Sequence, residues 1–142
     1  MQPSDGGIED VRERFARSEF HTRWLALTLD RVDVGQVDVA MDVQPHHLNL
    51  MGTLHGGMIA TLADTATGLA LRSTLEDGFT FTTTQLGVTF LSPGREGRVV
   101  ARGRVVKSGR RFGYAEADVV GSDGRLLARA TATFAVLPEP DQ

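Results

Sequence analysis

The chain contains no cysteine among its 142 residues. This absence excludes disulfide bonds, a thiolate nucleophile, and zinc or iron-sulfur sites built on cysteine. It is also typical of a cytoplasmic protein, which is the location we expect. The length fits one domain of ordinary size.

The sequence also has no apolar run of the roughly 18 residues that are needed to cross a bilayer. Its first residues lack a basic segment followed by an apolar one, so we expect no export signal and no membrane contact. A formal net charge of -3 gives the whole protein no attraction for phosphate backbones, and we expect no nucleic-acid partner. The basic residues nevertheless cluster between Arg95 and Arg111, where an anionic ligand could bind.

Apolar and polar residues alternate in six segments, which is the pattern of half-buried strands. The first two lie on either side of Val34-Gly35-Gln36 and predict a hairpin. The other four cover approximately residues 79–91, 99–105, 115–119 and 126–136. Within the third segment the apolar parity changes between Phe81 and Leu86, which predicts a bulge near Thr82, Thr83 and Thr84.

Two segments follow helical spacing instead. The segment from His55 to about Leu75 is apolar on nearly all sides, which predicts a long buried helix. A short amphipathic helix is predicted from Ile8 to Phe20.

The order of these elements predicts an α+β protein in which an antiparallel β-sheet wraps around one long central helix. We expect residues 1–22 to form an N-terminal helical extension, residues 23–138 the main domain, and residues 139–142 a disordered tail. Dimerisation would lengthen such a sheet and cover its edges.

Asp64 lies within the apolar helix, where a carboxylate without a partner is costly to bury. If Asp64 is purely structural, its carboxylate would accept a hydrogen bond from a nearby hydroxyl, such as that of Thr61, Thr65 or Thr67. An acid in this setting is also a candidate base or nucleophile. Asp64 is therefore the first candidate catalytic residue.

The glycines that follow His55 mark the predicted start of the long helix, and their backbone N–H groups can approach a ligand closely. Together with the helix dipole, such donors stabilise negative charge that develops on a carbonyl oxygen. The alternative is a tight turn in which Gly56 and His55 are structural. Asn49, in the preceding loop, has an amide suited to holding water or a carbonyl, or to capping the loop.

The adjacent His46 and His47 do not by themselves indicate a metal site. Neighbouring residues on a loop seldom face the same ion, and no cluster of His, Asp or Glu in the sequence completes a ligand set. We therefore expect no metal and no cofactor.

Four motifs occur in one order: HLN at 47–49, GTLHGG at 52–57, TLAD at 61–64 and VTFLSPG at 88–94. Their combination resembles the phenylacetyl-CoA thioesterase (PaaI) family of hot-dog proteins over about residues 25–137. The resemblance implies a hot-dog fold and hydrolysis of an acyl-CoA substrate. It also implies a homodimer or a dimer-of-dimers tetramer with active sites at the dimer interface.

The resemblance further implies a role for each matching residue. Asp64 would attack the thioester or activate water, and the N–H of Gly56 would polarise the thioester carbonyl. Asn49 would orient water or substrate, and Thr83 would help to position the water. His55 would support the loop.

Four cations in the basic stretch are further candidates, for binding the CoA nucleotide: Arg95, Lys107, Arg110 and Arg111. The alternative is that these side chains only cover a solvent-exposed sheet face and loop and bind no ligand.

Two rival functions remain open. A hot-dog hydratase or dehydratase would need a histidine base, for which His55 is the candidate. A non-catalytic acyl-CoA-binding or sensor protein would keep the fold without the activity. The acyl group, aryl or aliphatic, is not indicated by the sequence.

Overall fold

Helical and extended segments follow one another in the order that the periodicity predicts. A computed structural model describes residues 5–141, so residues 1–4 of the predicted extension and Gln142 of the predicted tail lie outside the described residues. Helix α1 (Asp5–Arg17) is followed by a π-helical turn (Phe20–Trp24), and the long helix α2 runs from Gly56 to Arg72. The strands are β1 (Leu27–Asp33), β2 (Gln36–Asp42), β3 (Phe79–Phe90), β4 (Arg98–Ser108), β5 (Phe112–Val120) and β6 (Leu126–Pro138).

The six strands form one sheet in the order β1-β2-β4-β5-β6-β3, and every neighbouring pair is antiparallel. Gly35, with φ +79°, makes the tight turn of the predicted β1–β2 hairpin. One face of the sheet packs on α2. The predicted architecture, an antiparallel sheet around one long helix, is therefore confirmed.

Small side chains allow α2 to lie directly on the sheet. Ala101, Ala117 and Ala130, on three neighbouring strands, are buried against the helix. At Gly103 of β4, a Cβ atom would lie 2.4 Å from the carbonyl oxygen of Ala66 in α2. No residue but glycine allows this approach, because the atom that a side chain would meet belongs to the helix backbone.

The predicted bulge lies in β3. Thr83 pairs with Phe134 and Gln85 pairs with Thr133, which leaves Thr84 as the extra residue. Because one residue is inserted, the helix-facing side of β3 changes from odd to even positions. Phe81 and Phe90 consequently both meet α2, Phe81 at Gly68 and Phe90 at Gly56.

The C-terminal end of α2 is held by Arg72, whose guanidinium is buried. It donates to the carbonyl oxygen of Phe79 at 2.9 Å and to Thr80 Oγ1 at 2.7 Å. Glu139, the first residue of the predicted tail, donates its N–H to the Gly78 carbonyl at 2.8 Å. For residues 140–141 the disordered tail stays a prediction.

Candidate active site

Asp64 lies half-buried in the middle of α2, and β3 brings Thr83 beside it. Thr83 Oγ1 donates a hydrogen bond to Asp64 Oδ1 at 2.9 Å. The hydroxyls of Thr61 and Thr67 donate instead to carbonyl oxygens of their own helix. Within residues 5–141, no second protein donor bonds to the Asp64 carboxylate. The remaining lone pairs of its two oxygens can therefore accept hydrogen bonds from water or a ligand.

The N-terminus of α2 presents one free backbone donor. His55 is the N-cap residue, and its Nδ1 accepts a hydrogen bond from the Gly57 N–H at 2.8 Å. The Met58 N–H donates to the His55 carbonyl at 2.9 Å. In the described part of the chain, the Gly56 N–H has no protein acceptor, and the helix dipole adds positive potential at this point.

His55 thus performs a structural task at the helix start. Because its Nδ1 accepts a hydrogen bond, the neutral ring carries its proton on Nε2. The nitrogen that caps the helix is therefore not available to act as a base toward a substrate. This geometry favours a loop-supporting role for His55 over the role of the base that a hydratase or dehydratase would need.

Asn49 closes the loop that precedes α2. Its Oδ1 accepts hydrogen bonds from the N–H groups of Met51, at 2.9 Å, and Thr53, at 3.1 Å. Its Nδ2 donates to Thr53 Oγ1 at 2.9 Å. The carbonyl oxygen of this amide therefore caps the loop, as the alternative role predicts. Among the described residues, one of the two Nδ2 hydrogens has no protein acceptor.

His47 ties this loop to the start of α2. Its ring is buried, its Nδ1 accepts the Gln44 N–H at 2.9 Å, and its carbonyl accepts the His55 N–H at 2.9 Å. Burial lowers the pKa of His47, and the neighbouring His46 lowers it further. The sequence indicates no metal site at His47 and places this residue in the HLN motif, but it does not reveal the positioning role, which depends on which loop residues are buried.

A single chain carries two separate groups of candidate residues. We call Asp64 with Thr83 the acid half-site, and Gly56 with Asn49 and His55 the donor half-site. Gly56 and Asp64 are eight residues apart on one helix, which corresponds to about 12 Å. That distance is too long for one thioester carbonyl to contact both.

The four cations proposed for the CoA nucleotide lie at opposite ends of β4. Arg95 is exposed in the β3–β4 loop, next to Gly94, whose carbonyl accepts the Leu54 N–H at 2.9 Å. The other three are exposed near the β4–β5 turn: Lys107, Arg110 and Arg111. The eleven residues of β4 separate the two groups by roughly 33 Å, so one chain does not bring the four cations together.

His21, in the π-helical turn, lies near the acid half-site and was not identified from the sequence. Its Nδ1 is 2.6 Å from Ser18 Oγ, and its ring stacks on Phe15 with centroids 5.8 Å apart. Burial lowers the pKa of His21, and the negative charge of Asp64 opposes that shift. The spacing of Phe15, Ser18 and His21 at every third residue is the sequence signal that could have revealed this cluster.

Across residues 5–141, no three His, Cys, Asp or Glu side chains are grouped as metal ligands would be. No helix in the same range is both long and apolar enough to cross a membrane.

Several known proteins with similar sequences are named acyl-CoA thioesterases. Residues 51–128 match the family model described as the Thioesterase superfamily. The human protein named acyl-coenzyme A thioesterase 13 is 33% identical over 109 residues, covering 75% of this chain and 77% of that protein. A Salmonella typhimurium protein named medium/long-chain acyl-CoA thioesterase YigI is 30% identical, covering 94% of this chain and 96% of its own length.

Solved structures of thioesterase family proteins have a similar fold. A thioesterase family protein from Silicibacter pomeroyi superposes with a TM-score of 0.89 at 32% identity, covering 94% of this chain and all of its own. The PaaI protein of E. coli superposes with a TM-score of 0.87 over 96% of both chains. Its 23% identity supports the likeness in fold alone.

Proposed function

Because this chain belongs to the Thioesterase superfamily and is a thioester hydrolase, we propose that it cleaves an acyl-CoA into a free acid and CoA. The observation that carries the catalytic assignment is the hydrogen bond from Thr83 Oγ1 to Asp64 Oδ1 at 2.9 Å. It fixes the direction of a half-buried carboxylate whose second oxygen stays available for chemistry. Such an arrangement serves a nucleophile or a general base.

The proposed site joins the acid half-site of one subunit to the donor half-site of its partner. A two-fold axis that sets two α2 helices side by side brings the N-terminus of one helix near the middle of the other. The homodimer that this requires is part of the proposal, and a dimer-of-dimers tetramer would contain the same pair of sites. Within residues 5–141, the outer edge of β3, next to the acid half-site, pairs with no other strand. This free edge supports the arrangement, because an exposed strand edge is a ready surface for pairing.

The reaction then proceeds at the thioester carbonyl. Either an oxygen of Asp64, or a water that Asp64 deprotonates, forms a bond to the carbonyl carbon, and the π electrons move to the carbonyl oxygen. The Gly56 N–H and the dipole of α2 stabilise that oxygen. Collapse of the intermediate breaks the carbon–sulfur bond, and the CoA thiolate leaves and takes up a proton. If Asp64 is the nucleophile, water next hydrolyses the acyl-aspartyl anhydride.

The remaining residues hold these groups in place. Thr83 orients the carboxylate, Asn49 closes the loop and offers one amide hydrogen to water or substrate, and His55 caps the donor helix. The relative from Salmonella typhimurium, named for medium and long acyl chains, favours an aliphatic acyl group for this chain as well.

The CoA nucleotide would lie against exposed cations. Arg95 is the nearest of the four candidates in sequence to the donor half-site, and Lys107, Arg110 and Arg111 form a second group. Since the two groups are far apart in one chain, a single nucleotide can use both only if each group comes from a different subunit.

The test is to replace Asp64 by Asn and follow the release of free thiol from a panel of acyl-CoA substrates. We expect kcat to fall by about 10²- to 10⁴-fold with little change in affinity for a non-hydrolysable CoA analogue, because the amide keeps the shape of the carboxylate. Asp77→Asn, at an exposed acid beyond the other end of α2, is the matched control and should keep full activity.

Near-normal hydrolysis by Asp64→Asn would refute the catalytic assignment. A wild-type protein that binds acyl-CoA but releases no thiol from any substrate would favour the non-catalytic binding protein instead.

A further inference from the structure

A cavity of about 990 Å³ lies at the C-terminal end of α2. Its walls are the start of α1, the loop from α2 to β3, the β4–β5 turn, and the side chains of Phe79 and Glu139. This volume is at the upper end of the range for small-molecule sites. Neither Asp64 nor Gly56 is among the lining residues, so the cavity is separate from both half-sites.

One wall of the cavity carries a buried cation with unused hydrogen-bond donors. The Arg72 side chain is 8% exposed, and two of its five N–H hydrogens bond to the Phe79 carbonyl and to Thr80 Oγ1. Asp10 Oδ2 is 3.9 Å from Nε and Glu139 Oε1 is 3.8 Å from Nη1, which is beyond hydrogen-bond distance. Within residues 5–141, the other three N–H hydrogens have no protein acceptor, so an acceptor on a bound ligand would be stabilised beside them.

The lining contains as many acids as arginines, but their pairing is uneven. Arg14 forms salt bridges with Asp10, at 2.8 Å, and with Glu139. Arg110 and Arg111, exposed on the β4–β5 turn, have no salt-bridge partner in the part of the chain that the structure describes. Free guanidinium groups are suited to phosphate, which they bind through parallel hydrogen bonds.

Phe79 adds a surface for a flat ring. Its side chain is 37% exposed and lines the cavity, and nucleic-acid bases stack on such rings. Carboxylates in the lining, that of Glu139 among them, can accept hydrogen bonds from amino and hydroxyl groups, and they disfavour a ligand that is only an anion. Phosphate, hydroxyl groups and a flat base with an amino group occur together in a nucleotide.

The seam between α2 and β3 leads from the acid half-site to this cavity. Thr83 bonds to Asp64, the ring of Phe81 lies against Gly68, and Arg72 bonds to the start of β3. Asp64 and Arg72 are eight residues apart on α2, or about 12 Å. Thr83 and the first residue of β3 are four residues apart, or about 13 Å, so both elements give the same separation.

We propose that this cavity binds the nucleotide of CoA. The inference rests on the proposed function, because the nucleotide belongs to the thioester whose carbonyl lies at Asp64. The pantetheine arm has about thirteen bonds between its sulfur and the first phosphorus, as many as about four residues of extended backbone, so it reaches about 15 Å. That reach is sufficient for the separation along the seam. Arg110 and Arg111 contact the phosphates, and Phe79 stacks on the adenine.

Calorimetric titration tests the site without catalysis. The ligands are decyl-CoA and decyl-pantetheine, two thioethers that cannot be hydrolysed and that differ only by the nucleotide. We expect the double variant Arg110→Ala/Arg111→Ala, and separately Phe79→Ala, to weaken binding of decyl-CoA about tenfold, with less than about twofold change for decyl-pantetheine. Phe79→Tyr keeps the ring and should retain the affinity.

Arg125→Ala is the matched control for the loss of positive charge. Arg125 is an exposed arginine on the β5–β6 turn, whereas Arg110 and Arg111 lie at the other end of β5. Its removal should leave the binding of both thioethers unchanged.

Competition on the wild-type protein gives a second test. Adenosine 3′,5′-bisphosphate, a nucleotide without the pantetheine arm, should displace decyl-CoA and leave decyl-pantetheine bound. Inorganic phosphate at the same concentration should displace much less decyl-CoA, because it offers no base to Phe79 and no hydrogen-bond donors to the carboxylates.

Three results would overturn the nucleotide site: equal losses for the two thioethers, a loss caused by Arg95→Ala but not by the cavity variants, or displacement by inorganic phosphate as effective as by the bisphosphate. The second would place the nucleotide at the other end of β4, and the third would assign the cavity to simple anions. A wild-type protein that releases no thiol from any acyl-CoA would refute the proposed function, and the binding of decyl-CoA would still decide the nucleotide site.

Discussion

At the scale of single residues, the site depends on which of three consecutive threonines faces the helix. Side chains alternate along a strand, so Thr82 and Thr83 point to opposite faces. Thr84 is the bulged residue, and its hydroxyl lies 2.9 Å from that of Thr133. Only Thr83 is left to meet Asp64.

The first prediction at this scale concerns the hydroxyl of Thr83. Thr83→Val keeps the shape of the side chain but removes the hydrogen bond to Asp64, and we expect kcat to fall about tenfold because the bond is made to a charged group. Thr83→Ser should retain most of the activity. Steady-state release of thiol from one acyl-CoA measures the effect.

Thr82→Val is the matched control for this prediction, since it makes the same chemical change on the other face of β3. A loss of activity at Thr82 equal to that at Thr83 would show that the strand, and not the hydrogen bond, is responsible.

At the scale of elements, the N-terminus of α2 is shaped to leave one donor free. His55 caps the Gly57 N–H, and the loop closed by Asn49 leads the chain directly into the helix. The ring of Phe90 lies against Gly56, 3.3 Å from the place where a Cβ atom would be. A donor fixed in this way stabilises developing charge without reorganisation during the reaction.

The prediction for this element is a loss of turnover on removal of that donor. Gly56 is the first helical residue, where proline is well tolerated, and His55 has ψ 134°, the extended conformation that proline requires of its predecessor. Gly56→Pro should therefore leave the helix intact and lower kcat by about 10²- to 10³-fold. Circular dichroism and turnover number, measured on the same sample, check both parts.

Gly56→Ala is the control, because it adds a carbon near Phe90 but keeps the N–H. If alanine and proline lower the turnover number equally, contact with the Phe90 ring explains the loss and the N–H does not act in the reaction.

At the scale of the whole molecule, the two half-sites lie along the boundary between α2 and β3. Phe81, Thr83 and Phe90 of the strand meet Gly68, Asp64 and Gly56 of the helix in antiparallel order. This alignment holds the acid and the donor rigidly apart within one chain. This separation supports the proposal that a complete site combines the acid of one subunit with the donor of another.

The prediction at this scale is recovery of activity in mixed dimers. Gly56→Pro and Asp64→Asn chains are co-expressed, each inactive alone. In a mixed dimer with shared sites, one site carries both lesions and the other carries neither, so random pairing should restore about a quarter of wild-type activity. Gly56→Pro is preferred to a change at Asn49, because the Asn49 side chain also closes the loop.

Native mass spectrometry of the co-expressed sample confirms that mixed dimers are present. Mixed dimers without any recovery of thiol release would mean that each site is built within one chain.

Local sequence patterns predicted the elements and the residue types of the candidate site. Apolar periodicity is a local property, so the six strands, the long helix and the change of parity in β3 could be predicted from it. A carboxylate in an apolar helix and glycines at a helix start are local signals too, and they identified Asp64 and Gly56 as candidates.

Which of these residues come into contact depends on how the elements pack together. The pairing of β3 with β6 chose Thr83 over its neighbours, and the folding of the π-helical turn onto the core brought His21 within reach of the charge of Asp64. The length of β4 separated Arg95 from Arg110, although they lie in one basic stretch of sequence. These outcomes depend on contacts between residues that are distant in the chain, and local periodicity does not encode the register or the packing that creates them.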